Sequence, residues 1–213
     1  MEQIYLKLSL LRQAGVFSVL CLVVFITPVH TLIAQTNREE LLARAKENFS
    51  SALNELVATG NSLNRIGQAH QILSNELGGQ RPEWLTKCLL DEINVLTLLL
   101  QSNKLIGDQI AAAQATANGQ SGSSSFADLR KLLNDIDDGL KKLQSNLETK
   151  AETRTACQSR LEQLIDGLVA AHPTKAATYS SIKIMLNPNT LDSELQQQRN
   201  IIVSAEIPMQ MLQ

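Results

Sequence analysis

Histidine and cysteine are the residues here that could carry catalysis or bind a metal, and the chain has only three of each in 213 residues. His70 and His172 lie far apart in the sequence, and His30 falls in an apolar N-terminal segment. None of them belongs to a His-Glu-x-x-His or Glu-x-x-His spacing, which helical metal sites use. We therefore predict no metal site, no cofactor and no histidine-based catalytic group.

Two further segments have a composition that suggests ligand binding but lack the residues that binding needs. Residues 135–139 read Asp-Ile-Asp-Asp-Gly, yet a calcium loop starting there would place Leu140 at its sixth position and Asn146 at its twelfth. Those positions require Gly and Glu. The segment Gly119–Ser125 is rich in Gly and Ser but has no Lys to bind phosphate. The first is predicted to be a solvated helix face and the second a linker, and the protein is predicted not to be an enzyme.

The N-terminal segment is typical of an export signal. Lys7 and Arg12 precede residues 14–34, which contain no Asp, Glu, Lys or Arg, and Pro28 lies near the end of that run. A basic start followed by a short apolar centre and a small residue at the cut predicts a signal peptide over residues 1–34. An uncleaved anchor is the alternative, since the uncharged run could just cross a bilayer of roughly 30 Å. The expected location is secreted or periplasmic, with no membrane contact in the mature form.

Removal of that segment deletes Cys21 and leaves Cys88 and Cys157. An even number of cysteines in an exported chain favours one disulfide, because the compartment is oxidising. Two buried free thiols are the alternative.

Four other side chains are candidates for particular roles. Asn48 begins the sequence Asn-Phe-Ser and is a candidate glycosylation site, unless the sequence occurs by chance. Trp84 lies one turn before Cys88 and is expected to pack near the disulfide. His70 is expected to be a polar core residue that fixes helix register, with ligand binding or pH sensing as alternatives. His172 is expected to cap a helix end.

A seven-residue apolar repeat predicts the first long helix, from about Arg38 to Leu77, ended by Gly78 and Gly79. Asn37 and Glu40 resemble a capping box at its start. The repeat consists of Leu42, Phe49, Leu56, Leu63, His70 and Leu77.

The second helix is predicted from Pro82 to about Asn118, because Pro suits the first turn of a helix. Its apolar stripe is unusually wide, so we expect this helix to lie between two neighbours. The residues that widen the stripe are Leu90, Ile93, Leu98, Leu100 and Leu105.

A third repeat predicts a helix from about Phe126 to Ala171, ending before Pro173. Lys150 and Arg154 fall on its apolar stripe. We expect a kink there, or a stretch in which the bundle opens.

The positions of the cysteines and of the turns agree on one topology. Facing residues in an antiparallel hairpin lie at equal distances from the turn, and the midpoint between Cys88 and Cys157 falls within Gly119–Ser125. Leu42 likewise faces Asn118 about the first turn. The predicted fold is all-α: an elongated, coiled-coil-like, antiparallel three-helix bundle over residues 35–172 with one inter-helix disulfide.

Residues 173–213 are predicted to form short helices and a mobile tail. Ala176–Leu186 is expected to be one short helix, with another after the turn at Asn187–Thr190. Ile201–Val203 is a small β-prone run.

The overall charge restricts the partner. Lys and Arg total 19 against 21 Asp and Glu, a balance that does not suit nucleic acid. The long helix faces predict an exported, non-enzymatic protein, monomeric or weakly self-associating, that binds an unidentified protein partner. An export signal followed by a Gln-rich helical bundle is also similar in layout to minor pilus or periplasmic components of bacterial secretion and conjugation systems. A second alternative is a carrier of an apolar ligand near Lys150 and Arg154.

Overall fold

The computed structural model describes the backbone of residues 2–120 and 124–213, and the side chains of residues 38–120 and 124–213. Within these residues the chain is all-helical and has no strand. The α-helices are α1 (Glu2–Leu77), α2 (Glu83–Ala117), α3 (Phe126–Thr149), α4 (Ala151–Ala171), α5 (Ala176–Met185) and α6 (Pro188–Met211), with short 3-10 helices at Gly78–Gln80 and Pro173–Lys175.

The chain divides into two units, Met1–Arg44 and Ala45–Gln213. In the first unit, the side chains of Arg44 and Glu40 form an ion pair on successive turns of α1. The predicted signal peptide, residues 1–34, lies outside the residues whose side chains are described. Among the described residues, no helix combines the length and the apolar character needed to span a bilayer.

The second unit begins with an antiparallel pair formed by α1 and α2. Gly78 adopts φ +47° just after α1, a left-handed conformation that favours Gly and ends the helix. The amide of Asn103 on α2 then donates a 3.2 Å hydrogen bond to the carbonyl of Leu56 on α1. Further along, Gln114 donates to Ser50 at 2.8 Å. The predicted register of this hairpin is confirmed to within about one turn.

The third predicted helix is divided into α3 and α4 at Lys150. Ser125 and Asp128 form the capping box that starts α3, with Asp128 N–H donating to Ser125 Oγ at 3.2 Å. At Lys150 the backbone leaves helical geometry, with φ −99° and ψ 7°. The interruption predicted from Lys150 and Arg154 is confirmed at this point.

The three-helix prediction is wrong because α6 is a long helix that packs on α2 and α3. Ile201 and Ile202, expected in a β-prone run, lie inside α6 and are fully buried. The intrinsic preference of β-branched residues for strands is small. The free energy gained by burying these side chains within α6 outweighs it here. α6 buries an apolar stripe that the prediction missed: Leu191, Leu195, Ile202, Ala205 and Met209.

α5 joins the end of α4 to α6. The short helix predicted over Ala176–Leu186 is confirmed, and its Tyr179 and Ile182 side chains are buried. The Tyr179 hydroxyl donates to Glu76 near the end of α1 at 2.8 Å, and Lys175 forms an ion pair with the same carboxylate at 2.9 Å. The hydrogen bond from Lys175 has the larger effect on the Glu76 carboxylate, and that from Tyr179 the smaller. Both lower the pKa of Glu76 below its ordinary value. The domain divisions predicted at residues 34 and 172 stay predictions.

Candidate functional site

A groove of about 420 Å³ lies between α2 and α3 on the surface of the bundle. Its smallest lining residues are Ser102 on α2 and Gly139 on α3. We call this surface the α2–α3 groove. Its apolar walls are formed by Leu98, Leu105, Leu132, Ile136 and Leu143.

Three leucines of the groove are half exposed to solvent. The exposed fractions are 48% for Leu98, 49% for Leu105 and 45% for Leu132. Single exposed leucines are common on protein surfaces, but several along one concave surface make the groove a candidate docking site. The prediction that α2 lies between neighbours is confirmed, since it packs on α3, α4 and α6 and bonds to α1. The side chains of Leu98 and Leu105, however, line an open groove.

The helix period explains how this groove forms beside a well-packed core. Leu98 and Leu105 are seven residues apart and so share one face of α2. Leu99 and Ile106, each one residue later, are rotated by about 100° and are fully buried. Gly119, at φ +73°, ends α2 and lets the chain return as α3. α2 thus presents one apolar stripe to the core and a second to the groove.

Nearer the N-terminal end of α2 than the groove residues, a cluster of charged side chains joins α2, α4 and α6. Arg154 on α4 donates to Glu92 on α2 at 3.1 Å and to Asp192 on α6 at 3.0 Å. It also donates to the carbonyl of Pro188 at 3.2 Å. Burial raises the pKa of Glu92, and the charge of Arg154 opposes that rise. The cluster holds three helices together at the interruption near Lys150.

A second cluster joins α3 to α6 and corrects the prediction of a solvated face at residues 135–139. Asp137 is buried and accepts a 2.8 Å hydrogen bond from Arg199 on α6. Lys141 pairs with the same carboxylate at 2.9 Å. Burial alone would raise the pKa of Asp137, but these two cations together lower it. Asp135 and Asp138 on the same turn are exposed, as predicted.

The predicted pair of Cys88 and Cys157 forms a disulfide between α2 and α4, with Cα atoms 5.9 Å apart. The guanidinium of Arg160 stacks over the ring of Trp84, one turn before Cys88, at 4.2 Å from the ring centroid. The disulfide and this cation–π contact therefore join the same two helices. The cavity beside the disulfide and Arg154 measures about 40 Å³. A second cavity on the other side of Arg154, lined by Leu147, Ala151 and Leu195, measures about 190 Å³.

The remaining predicted residues lie apart from the groove. His70 is buried on α1, as expected, and burial lowers its pKa to about 4. His172 is the C-terminal cap of α4, also as expected. Asn48 is exposed on α1 beside the buried Phe49, and its glycosylation stays a prediction.

Among residues 38–120 and 124–213, no group of three or more His, Cys, Asp or Glu side chains could hold a metal ion. Of the segments considered for ligand binding from the sequence, only the rejected calcium-loop segment contributes to the groove lining, through Asp135, Ile136, Gly139 and Leu140. The groove leucines were visible in the sequence as a second stripe on α2, but their exposure depends on where α3 lies.

No family model, curated protein or solved structure matches the chain.

Proposed function

We propose that this protein is an exported, non-enzymatic helical bundle that binds a protein partner through the α2–α3 groove. The observation that carries the proposal is the row of half-exposed leucines at Leu98, Leu105 and Leu132. An open apolar groove between two helices is the type of surface that accepts a helix of another protein.

The disulfide supports export. Cys88 and Cys157 are joined over a sequence separation of 69 residues, and such bonds persist in oxidising compartments such as a periplasm or the extracellular medium. Within the proposal, residues 1–34 act as the signal that directs the chain there.

The composition of the groove lining favours a protein partner over catalysis. Its walls are mainly aliphatic, and its charged lining residue is Asp135 at the edge. Acid–base or nucleophilic chemistry needs a second polar group within hydrogen-bond reach of a reacting atom, and the groove lining offers only Ser102, Gln109 and Asp135 as polar side chains.

A carrier of an apolar ligand is a second candidate, because the same groove has a volume in the range of small-molecule sites. An open groove leaves much of such a ligand in water, whereas ligand sites bury about 70–90% of it. We therefore prefer the protein partner.

Site-specific photo-cross-linking in the native host tests the proposal. A photoreactive phenylalanine derivative at position 105 should give a discrete protein adduct. The same group at position 90 is the matched control, because Leu90 is also on α2 and is 56% exposed but does not line the groove.

Equal adducts at both positions, or none at position 105, would contradict a protein-binding groove. An adduct with the mass of a lipid would support the carrier instead.

A further inference from the structure

We propose that the occupant of the α2–α3 groove is a second copy of this chain, packed antiparallel about Gly139 on α3. This inference rests on the proposed function, because it names the partner of the same site. It is carried by a self-complementary charge pattern along the groove edge.

Asp135 and Lys142 lie on either side of Gly139 on α3, seven residues apart, and both are exposed. Two helical turns separate them by about 10 Å along the helix axis, on nearly the same face. Their neighbours in the sequence are paired: Lys141 contacts both Asp137 and Asp138. Among the described residues, by contrast, no ion pair engages Asp135 or Lys142.

A two-fold axis between residues 138 and 139 would satisfy both charges. In an isologous interface, a contact between residues i and j occurs twice, once in each direction. Asp135 of one copy then faces Lys142 of the other, and Lys142 of the first faces Asp135 of the second. The same two residues thus form two ion pairs across the axis. A second copy is therefore a partner whose charges match this edge.

The centre of the edge permits close approach. Gly139 is exposed, and a Cβ placed on it would meet no atom within 4 Å. With the axis between residues 138 and 139, Asp138 of one copy faces Gly139 of the other, and the missing side chain of Gly139 leaves room for that carboxylate, which Lys141 neutralises.

The groove then supplies the apolar part of the interface. In this arrangement α3 of the second copy runs parallel to α2 of the first. The aliphatic stem of Lys142 from the second copy passes over Leu105, and long charged side chains often cover apolar surface in this manner. The leucines lose contact with water while the charged ends pair at the rim.

Variants that reverse the charge of Asp135 or Lys142 test the proposal. Sedimentation equilibrium of the purified, disulfide-bonded protein measures their dimerisation. The wild-type chain should show a reversible monomer–dimer equilibrium that weakens as salt is added. Asp135→Lys alone and Lys142→Asp alone should each weaken dimerisation by about tenfold or more, because each places like charges opposite one another twice.

The two single variants should form a heterodimer when they are mixed in equal amounts. The mixed pair restores opposite charges at both contacts, and the Asp135→Lys/Lys142→Asp double variant should regain self-association. A purely structural role for either residue would not produce this rescue. Lys131→Asp is the control, since Lys131 faces the uncharged Asn146 in this arrangement and its reversal should leave dimerisation unchanged.

Gly139→Gln gives a second, independent measurement. It should weaken dimerisation while raising the unfolding temperature of the monomer, because Gly is a poor residue inside a helix. A wild-type chain that stays monomeric at all concentrations would overturn the inference, and so would a dimer that is indifferent to both charge reversals. If the cross-link at position 105 captures a different protein, the second copy is excluded while the protein-binding groove stands.

Discussion

Gln198 on α6 donates a 2.8 Å hydrogen bond from its side-chain amide to the main-chain carbonyl oxygen of Leu99 on α2. The Gln198 side chain is fully buried, and its Oε1 atom has no hydrogen-bond partner among the described residues. This polar contact ties the C-terminal helix to the core beneath the groove. It also leaves one buried oxygen unsatisfied, which opposes its stabilising effect.

Replacement of Gln198 should therefore depend on the size of the new side chain. Gln198→Met keeps the volume and removes the unsatisfied oxygen, so we expect a free energy of unfolding within about 1 kcal/mol of wild type or higher. Gln198→Ala opens a cavity and should lower it by about 2–3 kcal/mol. Urea denaturation of the two variants makes the comparison, and a large loss in Gln198→Met would show that the amide bond itself dominates.

A short helix was predicted after Asn187–Thr190, and the position of Gln198 explains why the full length of α6 was not predicted. The buried stripe of α6 repeats with steps of three and four residues, and Gln198 interrupts it with a polar side chain. Ile201–Val203 adds three β-branched residues in a row. Local preference therefore favoured a short strand, whereas the observed helix depends on burial against α2 and α3. The step pattern Leu191, Leu195, Gln198, Ile202, Ala205 and Met209 was the signal that could have revealed it.

The end of the first helix, the second helix, the interrupted third helix and the disulfide could be predicted, because their signals are turn residues or sequence spacings. The predicted start of the first helix at Asn37 and Arg38 is wrong, because α1 continues through these residues from Glu2. Gly78 and Pro82 mark the first turn, and the two cysteines place the second. The groove could not be predicted, because Leu98 looks like any other core leucine until the position of α3 is known. Asp137 was likewise taken as solvated, since its partner Arg199 lies in the part of α6 that was not predicted.

Arg154 should be essential for stability at neutral pH. Arg154→Ala leaves Glu92 largely buried without its cation, so we expect the free energy of unfolding to fall by about 3 kcal/mol. Adding Glu92→Gln should recover part of that loss, because a neutral amide is less costly to bury. A double-mutant cycle by chemical denaturation gives the coupling, and additive losses would indicate that the two side chains do not stabilise one another.

His70 should make the fold sensitive to mild acid. Burial lowers its pKa to about 4 in the folded chain, against an ordinary value of 6.5. The unfolded chain therefore binds a proton first, and the stability contributed by neutral His70 is complete above pH 6.5 and is lost as the pH falls toward 4. Between pH 7 and pH 5 the loss should be about 2 kcal/mol.

The His70→Gln variant isolates this effect from the titration of carboxylates. Its stability should change less than that of wild type over the same pH interval. Parallel pH profiles for the two proteins would mean that His70 titrates normally in the folded state.

The disulfide should contribute strongly to stability. Cys88→Ser/Cys157→Ser should lower the free energy of unfolding by about 4 kcal/mol, because the bond restricts a long loop in the unfolded chain. Reduction of the wild-type protein should produce a similar loss. An unchanged denaturation midpoint after complete reduction, confirmed by thiol titration, would show that packing alone sets the topology.

The most direct test of the central claim, that the α2–α3 groove binds a protein and that this protein is a second copy of the chain, compares Leu105→Gln with Leu90→Gln on the purified protein. Both leucines are on α2 and about half exposed, so neither change should alter the free energy of unfolding by more than about 0.5 kcal/mol. Sedimentation equilibrium should show that Leu105→Gln abolishes dimerisation while Leu90→Gln leaves it intact. Equal association of the two variants would contradict the account.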